Sequence, residues 1–512
     1  MFAKVYSAAV LGIEGYLVEV ESHLDSNLPA FATVGLPEGA VKESKDRVRA
    51  AVKNSGFYMP NKRITVNLAP ADIRKEGAAF DLPMAMGILL ASRQVKSHSL
   101  EATVILGELA LDGQLRPIRG ALSIGVAMAK AGMKRMILPR ENAAEAAMVT
   151  GLSVYGAATL LEAVDLLEND FSATPEIVDM AGVFNQSSQY GVDFMEVRGQ
   201  GHVKRALEVA AAGSHNVLMI GPPGSGKTML AKRFSSILPN LTLEEALETT
   251  KIHSVAGLLD TETGLVGTRP FRSPHHTISD AGLIGGGQVP RPGEVSLSHH
   301  GVLFLDELPE FRKNVLEVMR QPMEDGRVTI SRAALSLTYP AQFMLLAAMN
   351  PCPCGYFTDP AHECSCSLLQ IQRYRARISG PLLDRIDIHV EVPAVTYREL
   401  SGQSDGEYSQ SIRERVEAAR RVQTVRFKDQ PHVFANAHMG SREIRRHCTI
   451  DSAGEALLQT AITRLGLSAR AYDRILKVAR TIADLDQCPQ VGPVQLGEAI
   501  QYRSLDRDVD SK

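Results

Sequence analysis

A glycine-rich loop carries the residues with the clearest chemical potential. Residues 217–233 read VLMIGPPGSGKTMLAKR, in which an apolar run enters the loop and a helical pattern leaves it. Backbone N–H groups of such a loop surround a phosphate chain, its lysine reaches the outer phosphates and its threonine hydroxyl binds Mg²⁺. The match to G-x-x-x-x-G-K-[ST] predicts these ligands of ATP: Gly221, Pro222, Pro223, Gly224, Ser225, Gly226, Lys227 and Thr228. A plain glycine-rich turn is the alternative, and the helix that follows disfavours it.

Two carboxylates end a second apolar run, GVLFLDE, at residues 301–307. At the end of a buried parallel strand, Asp306 is predicted to hold Mg²⁺ and Glu307 to orient and polarise the attacking water. Such a strand is common by itself, but its position downstream of the phosphate loop favours a Walker B motif. The next predicted strand, 343–349, ends at Asn350, which is predicted to position the water or to sense the γ-phosphate. The alternative for Asn350 is a turn before Pro351.

Arg385 lies in the sequence LLDRIDI at residues 382–388. It is predicted to be an arginine finger that stabilises transition-state charge on the γ-phosphate of a neighbouring subunit. An internal salt bridge to Asp384 or Asp387 is the alternative.

Further candidates flank this core. An amphipathic helix at 468–485 places Arg470 where a second sensing arginine is expected, with Arg474 as the second choice. Upstream, Arg198, Gly199 and Gln200 precede a predicted helix at 203–212 and are expected to touch the base, unless they form a surface turn.

The pattern of apolar residues predicts an α/β protein with several domains. The composition is that of a globular chain of 512 residues, with 45% hydrophobic and 22% charged residues. In the first domain we predict strands at 16–21 and 63–68 and helices at 41–55 and 81–92. The predicted organisation is as follows: an α/β domain at 1–170, a linker at 171–192, an ATPase core with a parallel sheet at 193–395, a connecting helical segment at 396–435 and a C-terminal helical lid at 436–512.

Charge and cysteine content restrict the class of protein. The net charge of -3 provides no bulk attraction to nucleic acid or membrane. The N-terminus has neither the pattern of a signal peptide nor an anchor, which predicts a soluble, cytoplasmic protein without a membrane partner. Four of the six cysteines, Cys352, Cys354, Cys364 and Cys366, are clustered and are predicted to bind a structural Zn²⁺, with His362 as a substitute ligand. Buried free thiols are the alternative.

Several longer segments together resemble one family. GPPGSGKT, the insert RPFRSPHHTISDAGLIGGG before GEVSLSHHGVLFLDEL, the MNPCPCG turn and GPLLDRIDI are similar to the magnesium-chelatase-like AAA+ ATPases of the ComM (YifB) group. The resemblance covers nearly the whole chain. It implies a ring-forming, hexameric ATPase that acts on branched or single-stranded DNA in natural transformation, with recombination or transformation proteins as possible partners. The roles given above to Lys227, Thr228, Asp306, Glu307 and Asn350, and to the finger Arg385, agree with those motifs.

The N-terminal third resembles the Lon-type protease fold in two stretches, residues 75–89 and 106–139. In the proteolytic members a serine and a lysine occupy the places that Ala79 and Leu122 hold here. Without a nucleophile and its base, peptide cleavage is not expected. The domain is therefore predicted to be a scaffold or a partner-binding module.

Two inserts bear on the substrate, because inserts at these places line the central pore in related ring ATPases. The first, 271–295, carries Arg272, His275 and His276, and the second, 327–339, is predicted to form a β-hairpin that turns near Ala333 and carries Arg332. Basic and small residues there are expected to grip a DNA backbone without reading bases. Subunit contacts are the alternative.

The leading hypothesis is therefore an ATP-driven DNA motor with helicase or branch-migration activity. Its rival is a chaperone-like remodeller of proteins, and a third is a binding module built on the N-terminal domain. A protein remodeller typically presents an aromatic pore loop, which neither insert clearly shows. Arginine-rich runs at 372–377 and 413–428 are either part of a basic track or solvated helix faces.

Overall fold

A computed structural model describes most of the chain. The described residues are 1–36, 39–71, 73, 75, 77–97, 100–187, 190–259, 264–287, 290–332, 335–357, 359–395, 406–430, 433–465 and 468–503. The predicted turn residue Ala333 and residues 396–405 and 504–512 of the predicted connecting segment and lid lie outside them. The chain forms two compact units, Met1–Ser187 with Leu243–Gly267, and Ser188–Thr242 with Thr268–Lys512.

The first unit is built on a seven-stranded mixed sheet with the order β3-β4-β2-β1-β5-β8-β9. Its strands, together with the hairpin β6–β7, are β1 (Phe2–Leu11), β2 (Glu14–Asp25), β3 (Ala30–Val34), β4 (Arg63–Ala69), β5 (Thr103–Ile105), β6 (Glu108–Leu109), β7 (Leu115–Arg116), β8 (Arg135–Pro139) and β9 (Ser153–Ala157). Its helices in this part of the chain are α1 (Gly39–Asn54), α2 (Asp81–Ala91), α3 (Ala121–Lys130), α4 (Arg140–Ala147), α5 (Leu160–Glu168) and α6 (Met180–Ser187).

The predicted elements of this unit agree with the structure to within a few residues. In β4, Ile64, Val66 and Leu68 are buried and alternate with less buried neighbours, as expected for a strand with one face on the core. By contrast α2 is buried along almost its whole length, because it packs between β1 and β2 on one side and α1 on the other.

A segment that lies later in the chain, Leu243–Gly267, also belongs to the first unit. Helix α9 (Leu243–Ala256) packs on α3. The buried carboxylate of Glu145 accepts hydrogen bonds from the Ser254 hydroxyl of α9 and, at 2.8 Å, from the backbone N–H of Leu122. Burial raises the pKa of Glu145. The predicted ATPase core, 193–395, includes residues 243–267. In the structure this segment belongs to the same compact unit as the N-terminal residues.

The second unit contains a five-stranded parallel sheet with the order β11-β14-β17-β10-β18. Its strands and short ribbons are β10 (Val217–Ile220), β11 (Phe271–Arg272), β12 (Gly285–Gly286), β13 (Arg291–Pro292), β14 (Val302–Leu305), β15 (Arg327–Arg332), β16 (Leu335–Pro340), β17 (Met344–Met349) and β18 (Ile388–Glu391). The strands β10, β14 and β17 are completely buried, which explains their uninterrupted apolar sequences. A mixed α/β unit with this parallel sheet is consistent with an AAA+ P-loop fold.

Helices cover the sheet and form the C-terminal part. They are α7 (Gly201–Gly213), α8 (Lys227–Phe234), α10 (Asp280–Ile284), α11 (Glu294–Leu297), α12 (Lys313–Val318), α13 (Arg320–Asp325), α14 (Leu368–Arg375), α15 (Gly380–Leu383), α16 (Ser409–Arg426), α17 (Ser441–His447), α18 (Ser452–Leu465), α19 (Ala469–Leu485) and α20 (Pro493–Gln501). The side chain of Ser468 caps α19 by accepting from the backbone N–H of Ala471. Among the helices of the described ranges, none has the length and apolar composition that a bilayer span requires.

Candidate nucleotide-hydrolysis site

The glycine-rich loop joins β10 to α8 at the carboxyl edge of the parallel sheet. Because β10 lies between β17 and β18, the loop is at a place where open α/β sheets bind ligands. Gly221 must be glycine, since a Cβ there would lie 2.1 Å from the carbonyl oxygen of Val392. Gly226 has φ +86°, a conformation that favours glycine, and directly precedes the first turn of α8.

Lys227 is buried within this loop. Its Nζ donates to the carbonyl oxygens of Gly221 at 2.7 Å and Pro222 at 2.8 Å, and lies 3.3 Å from Oδ1 of Asn350. Burial lowers the pKa of the ammonium group. A phosphate chain in the loop would supply the negative charge that this buried cation favours.

Thr228 and Asp306 meet across the sheet edge. The Thr228 hydroxyl donates to Oδ2 of Asp306 at 2.7 Å, and the backbone N–H of Glu307 donates to Oδ1 at 3.0 Å. The two side chains thus bring a hydroxyl and a carboxylate oxygen together, and both are ligands that suit Mg²⁺. These residues fit the metal that the sequence predicted for them.

Glu307 follows β14 in a strained backbone conformation. Its φ is +52°, in the left-handed region, which costs a non-glycine residue about 1–2 kcal/mol. The side chain is exposed and its Oε2 lies 3.4 Å from Nδ1 of His276. His276, which the sequence assigned to DNA contact, is therefore next to the predicted catalytic carboxylate.

Gln200 connects the segment before α7 to the phosphate loop. It is buried, and its Nε2 donates to the carbonyl oxygens of Ser225 at 2.9 Å and Pro393 at 2.8 Å. The predicted base-contacting segment therefore lies against the phosphate loop. The amide nitrogen of Gln200 is already used in these two hydrogen bonds, one of which holds the loop.

Arg385 forms an ion pair within its own chain. One Nη donates to Glu324 of α13 and the other to the carbonyl oxygen of Pro381 at 2.5 Å. The alternative predicted from the sequence was a salt bridge from Arg385 to Asp384 or Asp387. The partner in the structure is instead Glu324, which is distant in sequence.

Arg470 and Arg474 lie one turn apart on α19. Exposed Arg470 donates to Asp384 at 3.1 Å, and the less exposed Arg474 donates to Asp387 at 2.8 Å. Burial opposes ionisation of Asp387, but the hydrogen bond with His215 and the charge of Arg474 hold its pKa below the usual range. Both arginines contact the segment of Arg385, and among the described residues neither is bonded to the phosphate loop.

The four clustered cysteines come together, and all are free thiols. Sγ of Cys354 lies 3.3 Å from Sγ of Cys352 and 3.5 Å from Sγ of Cys364, and Cys352 and Cys364 are 3.7 Å apart. Tetrahedral Zn²⁺ with bonds of about 2.3 Å needs sulfurs about 3.8 Å apart, so the cluster fits this ion. The hydrogen bond from the backbone N–H of Tyr356 lowers the pKa of the Cys354 thiol, whereas burial and the neighbouring thiols raise the pKa of Cys364 and Cys366.

The cysteine cluster also adjoins the phosphate loop. A Cβ on Gly355 would lie 2.6 Å from Cδ of Pro223, so the two turns pack closely. His362, the predicted substitute ligand, instead has Nδ1 3.0 Å from Oδ2 of Asp359.

The predicted DNA-contacting residues differ in their surroundings. Arg272 makes a two-pronged ion pair with Glu294, at 2.6 and 2.7 Å. His275 is exposed, and its Nδ1 lies 3.0 Å from the Thr277 hydroxyl. Arg332 ends β15, and its backbone pairs with that of Leu335 in the predicted hairpin.

The arginine-rich run on α16 is largely structural. Arg415 pairs with Glu208 and Glu407, and Arg426 forms a two-pronged pair with the buried Asp484. These side chains fasten α16 to neighbouring helices rather than forming a basic track.

Comparison with known proteins identifies the family. Residues 193–400 match the model of magnesium chelatase, subunit ChlI, and residues 20–142 and 406–503 match the models of subunit ChlI of Mg-chelatase and its C-terminal region. The chain is 46% identical to the competence protein ComM of Haemophilus influenzae, over 99% of this chain and 98% of that protein. The chain belongs to the ComM/YifB family of magnesium-chelatase-like proteins. It is also 44% identical to YifB of Salmonella typhimurium, over 99% of this chain and 97% of that protein.

Similarity to a magnesium-chelatase subunit itself is more limited. The 67 kDa subunit of Chlorobaculum tepidum is 29% identical over 164 residues, which is 31% of this chain and 23% of that protein. Membership of the ComM/YifB family confirms the family resemblance predicted from the motifs and suggests an ATPase that uses ATP and Mg²⁺.

Proposed function

We propose that this protein is a ring-forming, hexameric ATPase that drives helicase or branch-migration movement of DNA during natural transformation and recombination. The observation that carries the ATPase part is the convergence of Lys227, Thr228, Asp306 and Asn350 at one sheet edge. The DNA part is supported by the full-length similarity to a protein named for competence.

The hydrolysis step follows from the arrangement of these side chains. The buried Lys227 and the loop N–H groups would bind the outer phosphates, and Thr228 and Asp306 would hold Mg²⁺, which would supply positive charge to the phosphate chain. Glu307 accepts a proton from water as the water oxygen bonds to the γ-phosphorus. The bond from that phosphorus to the β–γ bridging oxygen breaks, and ADP and phosphate leave.

The hairpin β15–β16 is the proposed contact with the DNA backbone. One face is buried through Val328, Ile330 and Tyr339. The exposed face carries cross-strand hydroxyl pairs, Thr329 with Thr338 and Ser331 with Ser336, each 3.1 Å apart. Hydroxyls of this kind bond to phosphate oxygens and give no base specificity, which suits a motor that moves along any sequence.

Four-way-junction DNA is expected to raise the ATPase rate of the full-length protein. Because Arg332 would neutralise one phosphate, Arg332→Ala should reduce the slope of log affinity against log salt by about 0.9. Arg272→Ala should change that slope less, since Arg272 is bonded to Glu294. The measurements are ATP turnover with and without the junction and DNA binding across a salt series. An ATPase rate that the junction leaves unchanged, together with a DNA affinity that does not depend on salt, would contradict the motor.

A protein remodeller is the second candidate, because all three matching family models are named for a magnesium-chelatase subunit. It would give ATP turnover that is insensitive to DNA and is raised by a protein partner. In either case residues 436–512 would act as a lid that brings Arg470 or Arg474 towards the nucleotide, and the first unit would be a Lon-like, non-proteolytic module for binding partners. Those two assignments stay predictions.

The cysteine cluster is proposed to hold one structural Zn²⁺. Four protein thiolates would leave no open position for water, so the ion would stabilise the turn that packs on Pro223 rather than take part in chemistry.

The purified protein is accordingly expected to contain one zinc ion per chain. Cys364→Ser and Cys366→Ser should lose the zinc and lower the melting temperature by about 5 °C or more, since binding of a structural metal contributes folding free energy. Cys488→Ser, outside the cluster, is the matched control and should retain the metal. Elemental analysis and thermal melting check this, and full stability in the zinc-free variants would contradict it.

A further inference from the structure

Helix α17 carries three arginines on its exposed side. The helix, Ser441–His447, contains Arg442, Arg445 and Arg446. All three are exposed, whereas Ile444 is buried. Residues three and four positions apart are neighbours on a helix surface, so the three side chains share the face that lies opposite Ile444. We call these three residues the α17 arginine face.

The contacts of α17 leave this face without a counter-charge. Arg445 donates from Nε, at 3.1 Å, to a carbonyl oxygen of its own helix. Arg442 and Arg446 form no hydrogen bond or ion pair with any other residue of the described ranges. The single acid of the helix, Glu443, caps it by accepting from the backbone N–H of Gly440 at 3.0 Å. Three arginines and one glutamate give the helix a net charge of two positive units.

The surroundings of the last turn of α17 are also positive. Phe427, at the end of α16, meets the ring of His447 edge-on at 5.8 Å and 86°. Burial and the charges of Arg426 and Arg446 lower the pKa of His447. The end of α16 therefore adds to the positive field beside the arginine face rather than neutralising it.

Other arginines in this part of the chain have a structural role that those of α17 lack. Arg426 and Arg480 share the buried carboxylate of Asp484 and so join neighbouring helices. The helix dipole favours cations in the last turn but not in the first turn, so it gives no reason for Arg442.

We infer that the α17 arginine face binds the phosphate backbone of DNA, as a second contact besides the hairpin β15–β16. The inference rests on the proposed function, which makes DNA the substrate. Because the whole chain has a net charge of -3, contact with a polyanion requires a local positive surface. DNA carries one negative charge per about 1.7 Å of helix axis, and guanidinium groups pair with phosphate through two parallel hydrogen bonds.

The test measures binding of four-way-junction DNA to the full-length protein across a salt series. Replacing Arg442 and Arg446 together by alanine should reduce the slope of log affinity against log salt by about 1.8, since each lost phosphate contact removes about 0.9. The affinity should fall most at low salt, where exposed charges are least screened. The melting temperature should equal that of the wild type, because neither side chain is bonded to another described residue.

Two further pairs of substitutions serve as controls. Arg442→Lys with Arg446→Lys keeps both charges and should retain most of the slope, because lysine also binds phosphate as a point charge. Arg49→Ala with Arg464→Ala removes the same charge from exposed arginines of α1 and α18 and should leave the slope unchanged.

The inference is wrong if the alanine pair on α17 binds DNA with the affinity and slope of the wild type, if the pair on α1 and α18 loses as much slope, or if the lysine pair is as weak as the alanine pair. A wild type that does not bind junction DNA would contradict the proposed function as well. If the wild type binds the junction and the alanine pair on α17 binds it equally, only the role of the α17 arginine face is excluded.

Discussion

Lys227→Ala and Glu307→Gln are expected to stop ATP turnover in two different ways. Lys227→Ala removes the buried ammonium group that lies among the loop carbonyls, so ATP affinity should fall by about 10²-fold, as expected for the loss of charged hydrogen bonds. Glu307→Gln leaves the phosphate loop intact. It should bind ATP normally and lose about 10²- to 10⁴-fold in turnover, the contribution of a general base.

Equilibrium binding of Mg-ATP and steady-state hydrolysis, measured on the same preparations, distinguish these two defects. Lys232→Ala is the matched control, because Lys232 is exposed on the same helix, α8. Equal ATP affinity in Lys227→Ala and wild type would reject the site.

Local patterns in the sequence identified the elements of the site because each is specified by neighbouring residues. The fully apolar runs of β14 and β17 end at Asp306 and at Asn350, and the alternating run at 327–339 forms the hairpin β15–β16. For such segments, the hydrophobic period and the residue that ends it suffice to predict the structure.

Contacts between distant segments could not be predicted in this way. Glu324 pairs with Arg385 and His276 with Glu307, although nothing in either local sequence indicates the partner. The packing of 243–267 with the first unit depends on the buried Glu145 meeting Ser254, a polar pair that has no signature along the chain. Residue types can be read from the sequence, but which distant residues contact each other depends on the tertiary fold.

Arg385→Ala is expected to lower ATP hydrolysis by roughly 10³- to 10⁵-fold while ATP binding remains nearly intact, if Arg385 is a finger that acts on a neighbouring subunit. To reach a neighbour, its guanidinium must leave Glu324. That release breaks an ion pair in which the Glu324 side chain is 59% exposed but the Arg385 side chain is only 14% exposed, and it also breaks the hydrogen bond to the carbonyl oxygen of Pro381.

Glu324→Gln provides the matched control, since it removes the partner and leaves the finger. If Arg385 serves only an internal salt bridge, Glu324→Gln and Arg385→Ala should impair melting temperature and turnover alike. For a finger, Glu324→Gln should keep its activity while Arg385→Ala loses it.

Mixing experiments decide whether the finger acts between subunits. Arg385→Ala and Lys227→Ala proteins are each inactive alone, but in mixed rings some interfaces combine an intact phosphate loop with an intact Arg385 from the next subunit. Turnover should therefore reappear when the two proteins are combined, measured with the total concentration held constant and with the Arg385→Ala, Lys227→Ala double variant as the control that cannot complement. A finger that works within its own chain would need both residues in one subunit. No mixture could then recover activity, and the intersubunit role of Arg385 would be excluded.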